Sequence, residues 1–427
     1  MFKRLSLVLP ALVLCLTLAL SACGGSSSSG PVTIKAWFHS GTGAERDVLT
    51  AQVAAYNASQ KNVKVDLVLL PEGTYNDQVK AAAASNGLPD VLDFDGPNLY
   101  NYAWNKSIVP IDKYISSTLK ADLLPSIISE GTYNNKLYGI GTFDSGLGLY
   151  ARKSVLQANN IRIPTGPNDA WTAAEFTQAL KTLQTAGYAK PLDLKYNYGK
   201  GEWFTYGFSP ILQSAGSDLI NRSNYQTATG TINSDQSVKA LTVFQSWFTN
   251  NLVNLNTDDK SFINGQAAIS WVGHWQYVDY AKAFSDLVVL PLPDFGKGSK
   301  TGSGSWQWGI TASSQHQDAA GSFMNYLLQP DEIIRITTAN GAVPATKTAV
   351  AKSPLFATGG PLNIYIQQLQ SSVAIARPQT PAYPTITSAF AKAIDDITKG
   401  GDVKQALDEA AKTIDQDIKD NSGYPTK

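Results

Sequence analysis

Val32-Thr33-Ile34-Lys35-Ala36-Trp37, Val63-Lys64-Val65-Asp66-Leu67-Val68-Leu69-Leu70 and Val91-Leu92-Asp93-Phe94 are three apolar runs rich in β-branched residues, separated by stretches with helical spacing. The first reads as a strand, followed by the loop His39-Ser40-Gly41-Thr42-Gly43 and a helix from about Ala44 to Ser59. The second stops at Pro71; a loop Pro71-Glu72-Gly73-Thr74-Tyr75 and a helical segment around Gln78 to Ala84 follow it. The third is short and ends at Asp95-Gly96-Pro97. This alternation predicts an α/β fold with a parallel sheet and helices on both faces. In such sheets a ligand lies outside the carboxyl ends of the strands, so these three loops are the ones to watch.

From Leu147 onward helical signals dominate. Thr172 and Glu175 have capping-box spacing and start a helix that should run to about Ala186. Ser234 to Phe248 is amphipathic, with Val238, Leu241, Phe244 and Phe248 on one side. Asp318 to Leu328 reads as a helix interrupted at Gln329-Pro330, and Asp402 to Lys419 as a capped amphipathic helix.

The N-terminus has a different character. Lys3 and Arg4 precede an apolar run from Leu5 to Leu20, then Leu20-Ser21-Ala22-Cys23. That is the layout of a secretory signal, residues 1–22. Leu-Ser-Ala-Cys resembles the lipobox of bacterial lipoproteins, which implies cleavage before Cys23 and lipidation of its thiol. Residues 23–30 then form a Gly/Ser tether, flexible enough to let a folded body stand off a bilayer. Residues 31–427 are long enough for two domains.

Composition narrows the class. Cys15 leaves with the signal and Cys23 takes the lipid, so neither disulfide nor thiolate metal site is expected in a mature monomer. Net charge is zero and charged residues make up only 16% of the chain, which argues against a nucleic-acid partner. With 9 Trp, 19 Tyr and 15 Phe, the chain has aromatic rings to spare for a ligand after filling its cores. No H-E-x-x-H, G-x-S-x-G, phosphate loop or dinucleotide fingerprint occurs, and the three histidines, His39, His274 and His316, are far apart. No cofactor, metal or catalytic residue is expected. Asp93, Asp95, Asp144 and Glu202 leave a glycoside hydrolase open as a remote alternative.

Several stretches then act together. They are Asn57-Ala58-Ser59, Leu88-Pro89-Asp90-Val91-Leu92, Asn134-Asn135-Lys136-Leu137-Tyr138-Gly139-Ile140 and Gly146-Leu147-Gly148-Leu149-Tyr150-Ala151-Arg152-Lys153. Phe262-Ile263-Asn264-Gly265-Gln266-Ala267-Ala268-Ile269, Gly273-His274-Trp275 and Gly341-Ala342-Val343-Pro344 follow. In this order the chain resembles an extracellular solute-binding protein of a bacterial carbohydrate ABC importer, of the maltose-binding-protein superfamily. The resemblance implies a two-lobed periplasmic-binding-protein fold of type II, each lobe a mixed sheet flanked by helices, with the ligand cleft between them. It implies an N-lobe of 31–143 plus 308–342 and a C-lobe of 147–303 plus 346–427, with crossings near 143–146, 303–308 and 341–345. The implied partners are a small carbohydrate and the membrane subunits of an ABC permease. The protein is expected to be an extracytoplasmic monomer, lipid-anchored to the cell membrane at Cys23.

The same resemblance suggests site residues. Trp275 and Trp203 match aromatic positions that stack on sugar faces, and Asp144 matches an acidic position at the first crossing suited to accepting hydroxyl hydrogen bonds; Asp95, at a strand's carboxyl end, is a candidate of the same kind. His39 and Ser40 stand where the maltose binder has an Asp-Lys pair, and Ser388-Ala389-Phe390-Ala391 carries Ala where it has a stacking Trp. Trp306 and Trp308, beside the second crossing, offer replacement rings, and Trp308 is assigned to the site. Glu72 is a further loop candidate. Phe38-His39-Ser40 also resembles the subgroup that binds glycerol phosphate, and Arg377 would suit an anionic group there, which makes a phosphate or sugar acid the alternative ligand.

Overall fold

The computed structural model describes residues 30–255 and 258–426. The expectations for the signal, for Cys23 and for most of the tether lie outside the described residues.

The first sheet has the strand order Trp306–Ile310, Val91–Asp95, Val32–His39, Val63–Leu70. The last three strands are parallel, and Trp306–Ile310 returns antiparallel to Val91–Asp95. Every residue of Val91–Asp95 is buried, as a central strand covered on both faces must be. On one face Ile34, Ala36 and Phe38 meet Leu49, Val53 and Tyr56 of the helix Gly43–Ser59, and Phe323, Met324 and Leu327 of Gln317–Leu327. On the other, Leu92 and Phe94 meet Tyr75, Val79, Leu99, Tyr100 and Ala103.

The segment expected as the loop after Pro71 is instead the first turn of the helix Glu72–Ala84. Gly73 suggests a loop, but Tyr75 and Val79, four residues apart on one face, are both 1% exposed and pin that turn to the sheet.

The second sheet is mixed, in the order Leu287–Leu290, Leu147–Arg152, Ile269–Gly273, Leu192–Asp193, Val253–Asn254. Around it lies a larger core with Phe176, Leu180 and Leu183 from the helix Ala173–Thr185, and Leu241, Phe244 and Trp247 from Asp235–Thr249. The capping box is formed: Thr172 Oγ1 accepts from the Glu175 amide while the Glu175 carboxylate accepts from the Thr172 amide. Tyr383–Thr398 and Val403–Asp420 close this lobe, with Ile386, Phe390, Ile394, Leu407 and Ile414 inward.

Three passages join the two sheets. Phe143–Asp144 pairs antiparallel with Val343–Pro344, and the chain passes from Thr301–Ser303, paired with Ala374–Ala376, straight to Trp306 in the first sheet. The helix Lys347–Lys352, expected with the second lobe, packs on the first instead. Its Ala349 enters the first core, and Lys347 Nζ and Thr348 bond to Ala121 and Asp122. The chain's third passage is therefore completed beyond Lys352, because Thr346 caps that helix directly at the crossing.

Gly341 ends the helix Pro330–Asn340 in the left-handed region at φ +69°, and a Cβ there would lie 2.7 Å from the His274 carbonyl oxygen. Gly341→Ala is expected to cost at least about 1 kcal/mol of folding stability, read from the denaturant midpoint.

Candidate functional site

Parallel pairing carries His39 and Asp95 to one edge of the first sheet, and the antiparallel register sets Trp306 opposite Asp95. The His39 ring stacks on Trp306 with centroids 3.5 Å apart and planes 7° from parallel, while Tyr75 meets Trp306 edge-on at 5.5 Å. His39 Nδ1 lies 2.5 Å from Asp93 Oδ2, and the Tyr75 hydroxyl donates to the Asp93 carbonyl. Burial pushes the Asp93 carboxyl above its usual range, with His39 opposing. Ser40, half-buried, donates from both its amide and its hydroxyl to the Leu70 carbonyl, at 2.9 and 3.1 Å.

The facing surface comes from the second sheet. Ile269–Gly273 runs into His274-Trp275, and the half-buried Trp275 ring lies so close over Gly273 that a Cβ there would be 2.0 Å from it. Trp275 Nε1 and Gln276 Nε2 both donate to the Tyr198 hydroxyl, at 3.0 and 3.1 Å. Trp203 stands edge-on to Trp275 at 6.0 Å and Tyr206 lies 6.3 Å away. Trp203 is only 8% exposed, its indole N–H held by the Leu194 carbonyl.

Between these surfaces sits a buried ion cluster. Arg377 donates twice to Asp95, at 2.6 and 2.7 Å, and once to Glu202 at 2.7 Å. Tyr383 and Thr387 donate to the same Glu202 carboxylate, and the guanidinium lies 4.7 Å from the Tyr206 ring centre. Burial raises Glu202, with Arg377 opposing. Burial is the largest single influence and works against the Arg377 charge, but Asp95, Tyr383 and Glu202 together outweigh it and hold the guanidinium protonated. Expected to suit an anionic ligand, Arg377 already bonds two carboxylates through its Nη atoms, while its Nε has no partner within the described residues.

The crossing is clamped by carboxyl groups. Asp144 accepts from the amides of Ser145 and Gly304, at 2.7 and 2.9 Å. Glu130 accepts from the Ser305 amide and from Gln307 Nε2, at 3.0 and 2.8 Å. Burial, reinforced by Asp144 and opposed by Arg377, pushes Glu130 up to about 8, so it is largely protonated at neutral pH. His274 Nδ1 donates to the Asn340 carbonyl, and burial pushes the ring down to about 4.

Of the residues expected at the site, His39, Ser40 and Asp95 lie on the first edge, Trp203 and Trp275 on the second, Arg377 between them, and Asp144 at the crossing. Glu72 opens its helix, and its side chain lies outside the described residues. Trp308 is corrected to a core residue, 5% exposed, stacked on Phe38 at 5.7 Å. It lies two residues further into the sheet than Trp306, about 7 Å from the edge, and Trp306 supplies the ring at the edge. Sequence reasoning gave no role to Tyr198, Glu130, Gln307 or Tyr383. The small-residue run Gly302-Ser303-Gly304-Ser305 was the available pointer to Trp306, the first aromatic after it.

Buried polar atoms close to this seam that have no hydrogen-bond partner within the described residues include Asp93 Oδ1, Asn98 Nδ2, Gln307 Oε1 and Arg377 Nε. Together they offer both donors and acceptors. Farther out, a cavity of about 390 Å³ lies under Lys80, between the helices Tyr383–Thr398 and Val403–Asp420; Ser388 and Ala389 line it.

Known proteins resemble this chain in family and in fold. The family described as bacterial extracellular solute-binding protein matches residues 51–360. An uncharacterized lipoprotein from the oleD 5′ region of Streptomyces antibioticus is 24% identical over 377 residues, covering 84% of this chain and 79% of that one. The cyclic alpha-maltosyl-1,6-maltose binding protein of Arthrobacter globiformis is 25% identical, with TM-score 0.73, over 92% of this chain and 100% of that one. The GacH receptor of Streptomyces glaucescens, described unliganded and with acarbose, is 21% identical with TM-score 0.75, over 91% and 98% of the two chains.

His274 takes up no second ring proton in the folded chain until about pH 4, whereas the unfolded chain takes one up near the ordinary 6.5. The stability it contributes is therefore complete above pH 6.5 and drains away as pH falls toward 4. The wild type should lose more stability over that window than His274→Gln, as measured by urea midpoints at each pH.

Proposed function

The chain belongs to the bacterial extracellular solute-binding proteins, and from that membership we propose that it is the capture component of a carbohydrate ABC importer. It holds a neutral mono- or oligosaccharide between its lobes and presents the closed form to the membrane permease. The observation that carries the reading is the seam itself: aromatic faces from both lobes, Trp306 with His39 and Trp275 with Tyr198, meet planar polar groups with unmet hydrogen bonds. Sugars present apolar C–H faces and a rim of hydroxyls that donate and accept, so such a surface suits them. The neutralised Arg377 favours a neutral ligand over a phosphate or sugar acid. That the Arthrobacter protein binds a cyclic maltosyl sugar, and the Streptomyces glaucescens receptor acarbose, supports the same class.

In this reading the N-lobe is 31–143 plus 306–342 together with the helix Lys347–Lys352, and the remainder after 146 forms the C-lobe; the second boundary falls at Trp306 rather than 308 because its strand belongs to the first sheet. His39, Ser40, Trp306, Trp203 and Trp275 line the cleft, Asp95 and Arg377 tie its walls, and Asp144 holds the crossing. The cavity beside Ala389 gives room for a longer oligosaccharide. The chain acts by binding rather than catalysis, as a monomer outside the cytoplasm, anchored through lipid on Cys23; the lipoprotein from Streptomyces antibioticus supports the anchor. Binding energy realised only when both lobes touch the ligand shifts the population toward closure.

The test is a thermal-shift screen of the chain from Ser26 onward against neutral oligosaccharides, sugar acids and glycerol phosphates. A ligand at about 100 times its Kd adds about 2.7 kcal/mol of stability. The hit is expected among neutral sugars; one confined to the anions would overturn the neutral assignment. Trp275→Ala should weaken binding of that hit about ten-fold or more while the unliganded chain still melts cooperatively as a folded protein. Undiminished affinity would remove Trp275 from the site.

A further inference from the structure

The helix Leu99–Trp104 belongs to the first lobe, held there by Leu99, Tyr100 and Ala103. Its other side faces the second lobe. Asn101 Nδ2 donates to the Pro381 carbonyl at 2.8 Å, and three residues on, Trp104 Nε1 donates to the Pro425 carbonyl at 2.9 Å. The Trp104 and Tyr424 rings meet nearly edge-on, 5.0 Å apart at 71°.

The segment that supplies Pro425 is shaped entirely by the second lobe. Ser422, Gly423 and Tyr424 are consecutive left-handed residues at φ +55°, +76° and +55°, which two non-glycine residues adopt only when held. The restraints are visible. The Gly423 amide donates to the Ile418 carbonyl at 2.7 Å, and Gln226 Nε2 donates to the Gly423 carbonyl at 3.1 Å. The Tyr424 hydroxyl donates to Asp417 at 2.7 Å, and its ring packs on the second core. A strained turn bound to one lobe thus projects a carbonyl and a ring edge at a tryptophan of the other.

We infer that residues 421–426 form a strap that latches the closed lobes at one lip of the cleft by engaging Trp104. The inference rests on the reading that the lobes open and close around a ligand. The strap touches none of the residues assigned to the cleft, so it acts on closure alone. A hydrogen bond and a ring contact at a half-exposed site suit a latch that releases readily.

The test uses single-molecule energy transfer between dyes on Lys64→Cys and Lys412→Cys, in the chain from Ser26 onward, which keeps every described residue and has no native cysteine. Trp104→Phe removes the donor, and Tyr424→Ala removes the ring edge from the other side. Each should raise the open-to-closed ratio about two- to ten-fold, the range for loss of one such contact. If both leave the ratio unchanged while Arg377→Met raises it, the strap is overturned and lobe closure stands. If none of the three changes it, the strap falls together with the closure reading.

Discussion

The architecture turns on a charge problem. Asp95 ends a strand of the first sheet, Glu202 opens a helix of the second lobe, and both would be buried anions if Arg377 did not lie between them. An isolated ion of this kind costs several kcal/mol to bury, and only close pairing with further hydrogen bonds recovers it. Tyr383, Thr387 and the Tyr206 face supply those additional contacts. The lobes meet in this way at one set of positions, since a shift of either would strand a charge. Specificity of closure, rather than strength, is what a buried pair of this kind gives.

The crossing obeys the same logic with less charge. Glu130 and Asp144 receive backbone amides of Gly304 and Ser305, the residues on which any rotation between sheets must act. A largely protonated Glu130 lets two carboxyl groups share that space without full repulsion. His274, neutral, extends the contact to Asn340, whose side chain in turn donates to Glu45 of the first lobe.

The parallel first sheet was legible because its strands carry continuous apolar runs, and the capping box at Thr172 because its partners lie three residues apart. Helix Glu72–Ala84 begins six residues before the stretch from Gln78 whose spacing is helical, since Gly73 hides a turn that tertiary contact of Tyr75 stabilises. Trp275 and Trp203 are named only by the resemblance, and period-two spacing makes Trp306 and Trp308 look equivalent. Only the register against Val91–Asp95 tells which of them reaches the edge. Arg377 shows the same limit from another side. Its sequence neighbourhood says nothing of Asp95, 282 positions away, so its pairing becomes visible only in three dimensions.

The antiparallel strand Trp306–Ile310 has a consequence for how the molecule forms. The first sheet stays one strand short, and its core lacks Phe323, Met324 and Ala349, until chain far beyond the second sheet has been made. Contacts of such long sequence separation are slow to close. Neither lobe is a contiguous stretch that can be cut out and expected to fold. An emerging chain therefore remains loose for most of its synthesis, then condenses late, as one cooperative unit with two lobes.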